Sequence, residues 1–163
     1  MGDQRISLTI NQRDVSVVVE PNETLLQVLR DGLGHMDVKY GCGEGVCGTC
    51  TVLFDGEPVN SCLMLGVQAS GHNVTTVRGL IDDPEGRALQ ARFLEEGAAQ
   101  CGYCTPGIVL TAYHLVRENR RATREDLRAG LAGNLCRCTG YVNILDAIES
   151  HLGRPRSDTG ASV

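Results

Sequence analysis

"YGCGEGVCGTCTV", residues 40–52, places Cys42, Cys47 and Cys50 in the spacing C-x4-C-x2-C on one glycine-rich loop, and Cys62 follows at the end of the next predicted hairpin. That spacing is the one found at plant-type 2Fe-2S centres. Four thiolates around two irons make an anionic centre, so the loop that wraps it must aim backbone N–H groups at sulfur. Gly41, Gly43, Gly45 and Gly48 would permit the positive φ angles of such wrapping and leave room for close approach. Structural zinc is the rival reading. Zinc sites, however, more often carry two short knuckles than three cysteines on one loop with a distant fourth. The bacterial 4Fe-4S run C-x2-C-x2-C-x3-C-P is absent.

On either side of this loop the patterning is that of a small mixed sheet. "ISLTIN" (6–11) and "VSVVVE" (15–20) alternate apolar and polar residues around "QRD" (12–14), which predicts a β-hairpin. In "NETLLQVLRDGLG" (22–34), Leu26, Leu29 and Leu33 recur at helical spacing; Asn22 or Thr24 can cap the start and Gly34 can end the helix. "TVLFDGEPVNSCLM" (51–64) reads as strand, Asp55-Gly56 turn and strand, and "NVTTV" (73–77) as a further strand.

From "DDPEGRALQARFLEEG" (82–97) onward the period becomes helical. Leu89 and Phe93 share a helix face, as do Val109, Ala112, Tyr113 and Val116, then Leu127 and Leu131, then Tyr141, Ile144, Leu145 and Ile148. Thr123 and Asp126 form a capping-box pattern. The fold class expected is α+β, with a sheet module over residues 1–81, a helical module over 82–153 and a flexible polar tail at 154–163.

At 163 residues the chain can bury a real core without disulfides. A net charge of −5, few aromatics and no Trp argue against a nucleic-acid partner. No apolar run approaches the ~20 residues of a membrane span, and the opening "MGDQRISLTINQR" lacks a secretory signal, so a cytoplasmic location is expected. Gly2 is present, but Ile6 stands where myristoylation wants Ser or Thr. Eight cysteines in a reducing compartment point to metal.

"QCGYCTPG" (100–107) and "LCRCTG" (135–140) supply the second four: Cys101, Cys104, Cys136 and Cys138. Thr105 can cap and Pro106 can open a helix after the first pair, and a second helix follows the other. Helix N-termini lower thiol pKa and favour an anionic centre. By spacing alone, 2Fe-2S and a zinc knuckle remain equally open, while a thioredoxin-like pair lacks its βαβ context.

In this order and on a chain this short, "GCGEGVCGTCTV", "QCGYCTPG" and "NLCRCTGY" resemble the small iron-sulfur subunit of the molybdenum hydroxylases, the family of xanthine dehydrogenase, aldehyde oxidoreductase and aerobic carbon monoxide dehydrogenase. The resemblance spans about residues 5–152. It implies a β-grasp, plant-ferredoxin-like N-terminal domain and an all-α four-helix domain, each with one 2Fe-2S cluster. Cys42, Cys47, Cys50 and Cys62 would hold the flavin-proximal cluster, and Cys101, Cys104, Cys136 and Cys138 the molybdenum-proximal one. Gln100 and Cys138 would contact the molybdopterin in trans.

The resemblance further implies a large subunit carrying molybdopterin, as the cytosine dinucleotide, and a medium subunit carrying FAD, joined with this chain in a dimer of heterotrimers. Neither a Rossmann nor a Walker fingerprint is present in this chain, consistent with those cofactors lying elsewhere. The chain would relay electrons singly from molybdopterin to flavin and perform no substrate catalysis alone. A free-standing ferredoxin-like shuttle and a zinc-stabilised interaction module are the other readings. His35, His72, His114 and His151 show no metal-ligand spacing, and Glu95-Glu96 reads as a solvated helix face.

Overall fold

A computed structural model of the chain describes residues 2–154. β1 (Gln4–Ile10) and β2 (Arg13–Val19) form the first hairpin. α1 (Leu25–Gln27) runs on through a π-helical turn, Val28–Gly32. β3 (Thr51–Phe54), β4 (Glu57–Asn60) and β5 (Asn73–Thr75) complete a five-stranded sheet in the order β2-β1-β5-β3-β4, with β1 and β5 parallel and the other pairs antiparallel. Four helices follow: α2 (Pro84–Glu95), α3 (Thr105–Glu118), α4 (Arg124–Gly130) and α5 (Val142–His151). The α+β class and the four helices are as expected. Residues 155–163 of the expected tail lie outside the described residues.

Period-two patterning builds the sheet: Ile6, Leu8 and Ile10 are buried on one face of β1. They share a core with Leu25, Leu26 and Leu29 of the helical turn laid across them. Thr24 caps α1 in a capping box with Gln27, and Gly34, at φ 73°, ends the segment. The first turn departs from expectation by one position. Asn11 and Gln12 form it, at φ 49° and 65°, and Arg13 and Asp14 already pair in β2. A two-residue turn with both φ positive matches the strands' right-handed twist, and Asn tolerates that conformation. Asn11 also bonds across the sheet, accepting from Thr76 N–H at 2.9 Å.

α3 is buried on nearly every side, from Gly107 through Tyr113 and at Val116, as a helix apolar all round must be. It packs against α2, α4, β3 and β4. The helical core accordingly takes in Leu53 of β3 and Leu80 of the connection. Asp83 caps α2 through Gly86 N–H at 2.7 Å, with Pro84 opening the helix. Arg154 is tied down: its N–H donates to Glu149 O at 2.9 Å and its guanidinium to Ala122 O.

Candidate metal centres

The first loop presents backbone donors to sulfur as expected. Glu44 N–H donates to Cys42 Sγ at 3.3 Å, Cys47 N–H to Cys42 Sγ at 3.4 Å and Cys42 N–H to Cys47 Sγ at 3.4 Å. The Glu44 N–H above all, then the Cys47 N–H, hold the Cys42 thiol down at about 6. Cys50 and Cys62 lie inside the sheet core, and burial, with Cys50 alongside, pushes Cys62 up to about 11. Ser61 Oγ to Cys50 O, 2.7 Å, and Asn60 Nδ2 to Gly45 O, 3.0 Å, brace the loop from β4. Gly43, Gly45 and Gly48 have positive φ, but Gly41 does not. Gly41 instead serves close approach: a Cβ there would sit 2.7 Å from Cys47 Sγ.

Both quartets group two and two. Cys42 and Cys47 are within side-chain hydrogen-bonding reach of each other, and so are Cys50 and Cys62. In the second quartet Cys101 and Cys138 approach to 3.6 Å, while Cys104 lies beside Cys136. A single tetrahedral ion would instead draw four sulfurs mutually to about 3.7 Å, from metal–sulfur bonds of ~2.3 Å. Among the described residues no three or more His, Cys, Asp or Glu side chains gather that way. Two thiols per metal is the grouping a 2Fe-2S centre requires, and both quartets fit it; N–H donors ring the sulfurs of the first, and the Thr139 hydroxyl lies against a sulfur of the second.

The second site divides by depth. Cys101 and Cys138 are exposed, beside exposed Gln100, while Cys104 and Cys136 are half-buried. Cys104 itself occupies the cap position of α3, so Thr105 is the first helical residue rather than the cap. The expected lowering of its pKa by the helix end is reversed: burial, with Cys136 adjacent, pushes Cys104 up to about 12. Burial opposes ionisation of Cys136 too, but Thr139, whose hydroxyl lies 3.1 Å from the sulfur, overcomes it and holds that thiol below the ordinary value. Contact with Cys101 raises Cys138. Tyr141 OH accepts from Cys136 N–H at 2.8 Å and donates to Asn134 O at 2.9 Å.

Only a thin wall separates the two quartets. Leu135 N–H donates to Cys47 O at 2.9 Å, and Thr49 Oγ1 donates to Tyr103 O at 3.1 Å. A cavity of about 260 Å³ lies between them, with Cys42, Cys47 and Thr49 on one side and Cys101, Cys104 and Leu135 on the other. Gly48 sits at φ 63° against this wall, where a Cβ would come within 2.1 Å of Gly133 O. Spacing did not disclose Asn134, Thr49 or Tyr103 as parts of the wall; a polar residue two positions before a cysteine pair was the one trace of Asn134.

Residues 8–72 match the family model described as 2Fe-2S iron-sulfur cluster binding domain, and residues 76–149 the one described as 2Fe-2S binding domain. The chain is 48% identical over 148 residues to the nicotinate dehydrogenase small FeS subunit of Eubacterium barkeri, covering 91% of this chain and 94% of that protein. The chain belongs to the small iron-sulfur subunit family of the molybdenum hydroxylases. The chain is also 44% identical to caffeine dehydrogenase subunit gamma of Pseudomonas sp. strain CBB1, with 92% of each chain covered. The solved structure of quinoline 2-oxidoreductase from Pseudomonas putida 86 superposes with a TM-score of 0.88 at 44% identity, over 93% of this chain and 94% of that one. This chain, like its family, is an electron-transfer subunit of an oxidoreductase and binds 2Fe-2S. No helix among the described residues is long and apolar enough to cross a membrane.

Proposed function

We propose that this chain relays electrons one at a time from a molybdopterin centre on a large partner subunit to FAD on a medium one, within a cytoplasmic dimer of heterotrimers. Its two modules, 1–81 and 82–153, would each carry one centre: Cys42, Cys47, Cys50 and Cys62 on the flavin side, Cys101, Cys104, Cys136 and Cys138 on the molybdenum side. The observation that carries this reading is the two-and-two grouping of thiols in both quartets, set across one shared wall. When bound, the clusters supply two one-electron carriers in series.

The chain's own residues bind, shield and orient. Cys50 and Cys62 keep their side of the first site away from water, and Glu44 and Cys47 N–H groups supply positive dipoles where negative charge collects. Thr139 does the same at Cys136. Gln100 and Cys138 stand at the exposed edge of the second site, where a molybdopterin cytosine dinucleotide held by the large subunit would be met. Substrate contacts belong to that partner. Since nicotinate, caffeine and quinoline stand in the names of similar proteins, we place the complex's substrate among N-heteroaromatic rings.

Native purification tests the proposal. A heteromeric complex with molybdenum, FAD, iron and sulfide should result, and electron paramagnetic resonance of its reduced form should resolve two 2Fe-2S signals. One signal integrating to a single spin would sink the two-centre assignment, and a redox-competent monomer without partners in its native host would favour the free shuttle. Turnover of an aldehyde panel but of no heteroaromatic ring would overturn the substrate class.

A further inference from the structure

The Gly48 carbonyl, on the loop between Cys47 and Cys50, faces the helical half and is an unusually crowded acceptor. It takes the Asn134 side-chain amide at 3.0 Å, the Thr51 hydroxyl at 2.6 Å and the Thr51 N–H at 3.2 Å. Asn134 Nδ2 reaches Thr51 Oγ1 as well, at 3.2 Å. Asn134 is only 4% exposed, so this amide has been taken out of water to serve a loop of the other half. The next residue in the chain, Leu135, donates its N–H to Cys47 O, and Cys136 follows directly. The Asn134 carbonyl is held in turn by Tyr141 OH, which also receives Cys136 N–H. None of these Asn134 bonds goes to sulfur.

We infer that Asn134 is the positioning residue that fixes the separation and orientation of the two metal centres, clasping the Cys47–Cys50 loop to the strand of chain that leads into Cys136. This rests on the reading of both quartets as 2Fe-2S sites. Two short peptide links run from the clasp, one to a cysteine of each site, so a shift of the clasp moves one centre against the other without altering either thiol set. Replacement of Gly48 would push the same two segments apart, since a Cβ there would meet Gly133 O at 2.1 Å and Asn134 Nδ2 at 2.7 Å; the clasp therefore works only at backbone contact distance. Magnetic dipolar coupling and electron tunnelling both fall steeply with distance, and each reports the spacing that Asn134 sets.

The test uses the purified complex with Asn134→Asp, which keeps the shape but loses the donor, and Asn134→Leu, which keeps the bulk without introducing a buried charge. Iron and sulfide are measured first. Both variants should retain two complete centres with their individual g-values unchanged, and Asn134→Leu, which adds no charge, should leave their potentials unchanged as well. For a displacement of about an ångström, the dipolar splitting between the two reduced centres should fall by about a fifth and inter-centre transfer in stopped-flow should slow about threefold, less than the ~10²-fold that the same misplacement can cost a bond-making step. Wild-type splitting and transfer rates in both variants would overturn the inference. So would loss of iron from one quartet in both, which would make Asn134 an assembly residue, or a shifted potential with unchanged splitting in Asn134→Leu. A wild-type chain without iron would instead sink the assignment of the quartets themselves.

Discussion

Cys42 and Cys104 carry the same thiol into opposite surroundings. The Glu44 and Cys47 N–H groups hold Cys42 at about 6, while burial beside Cys136 pushes Cys104 up to about 12. Since the thiolate is the nucleophile, iodoacetamide at about pH 7.5 should label Cys42 of the metal-free chain well before Cys62 or Cys104. The Cys42 rate should climb through about pH 6 and then level off, because its pKa is lowered. Peptide mapping by mass spectrometry reads this order, and early labelling of Cys104 would refute it. The eight cysteine positions were legible in their spacing, but their pairing was not. Cys104 meets Cys136 only when α3 and the segment before α5 close together, and that closure belongs to tertiary packing. The same burial explains why a helix start failed to depress Cys104: desolvation of the anion outweighs the partial charge of a helix end.

At the level of elements, α4 and α5 are pinned by one cation. Arg124 Nη1 donates to Asp146 Oδ1 at 2.8 Å and also to Glu149, and the two carboxylate side chains are only 10% and 9% exposed. Arg124→Met should therefore destabilise the chain by about 3 kcal/mol, chiefly by leaving two nearly buried carboxylates unpaired. Adding Asp146→Leu and Glu149→Leu should recover most of that loss in urea denaturation; failure to recover it would mean that Arg124 acts through its own packing. The helices were readable because their apolar faces recur at the right period and because Asp83-Pro84 and Thr123-Asp126 are strong start signals. The central place of α3 was not read from its face of Val109, Ala112, Tyr113 and Val116; Ile108 and Leu110 are buried as well because the helix packs against both sheet and helices. The hairpin turn was misplaced by one residue because Asn11-Gln12 lacks the glycine that usually marks positive φ, and only the pairing of Ile10 with Arg13 decides between the two registers.

Across the whole molecule, sheet and helices meet along a seam where backbone approaches backbone at two glycines. Leu53 enters the helical core, Gly107 lies against Gly48 O, and Gly48 against Gly133 O. Gly48→Ala forces a Cβ into that last contact at a positive φ, so neither rotation nor a flexible neighbour relieves it. Calorimetry of the wild-type chain should show one cooperative unfolding transition, whereas Gly48→Ala should split it into two as the halves uncouple; a single transition in the variant would argue against the seam. The seam also limits how such chains can be recombined. A ferredoxin-like half taken from one relative and a helical half from another will join only if the glycines and the asparagine on either side travel as a matched set. The helical and sheet cores are separate, yet the two halves can be exchanged only together.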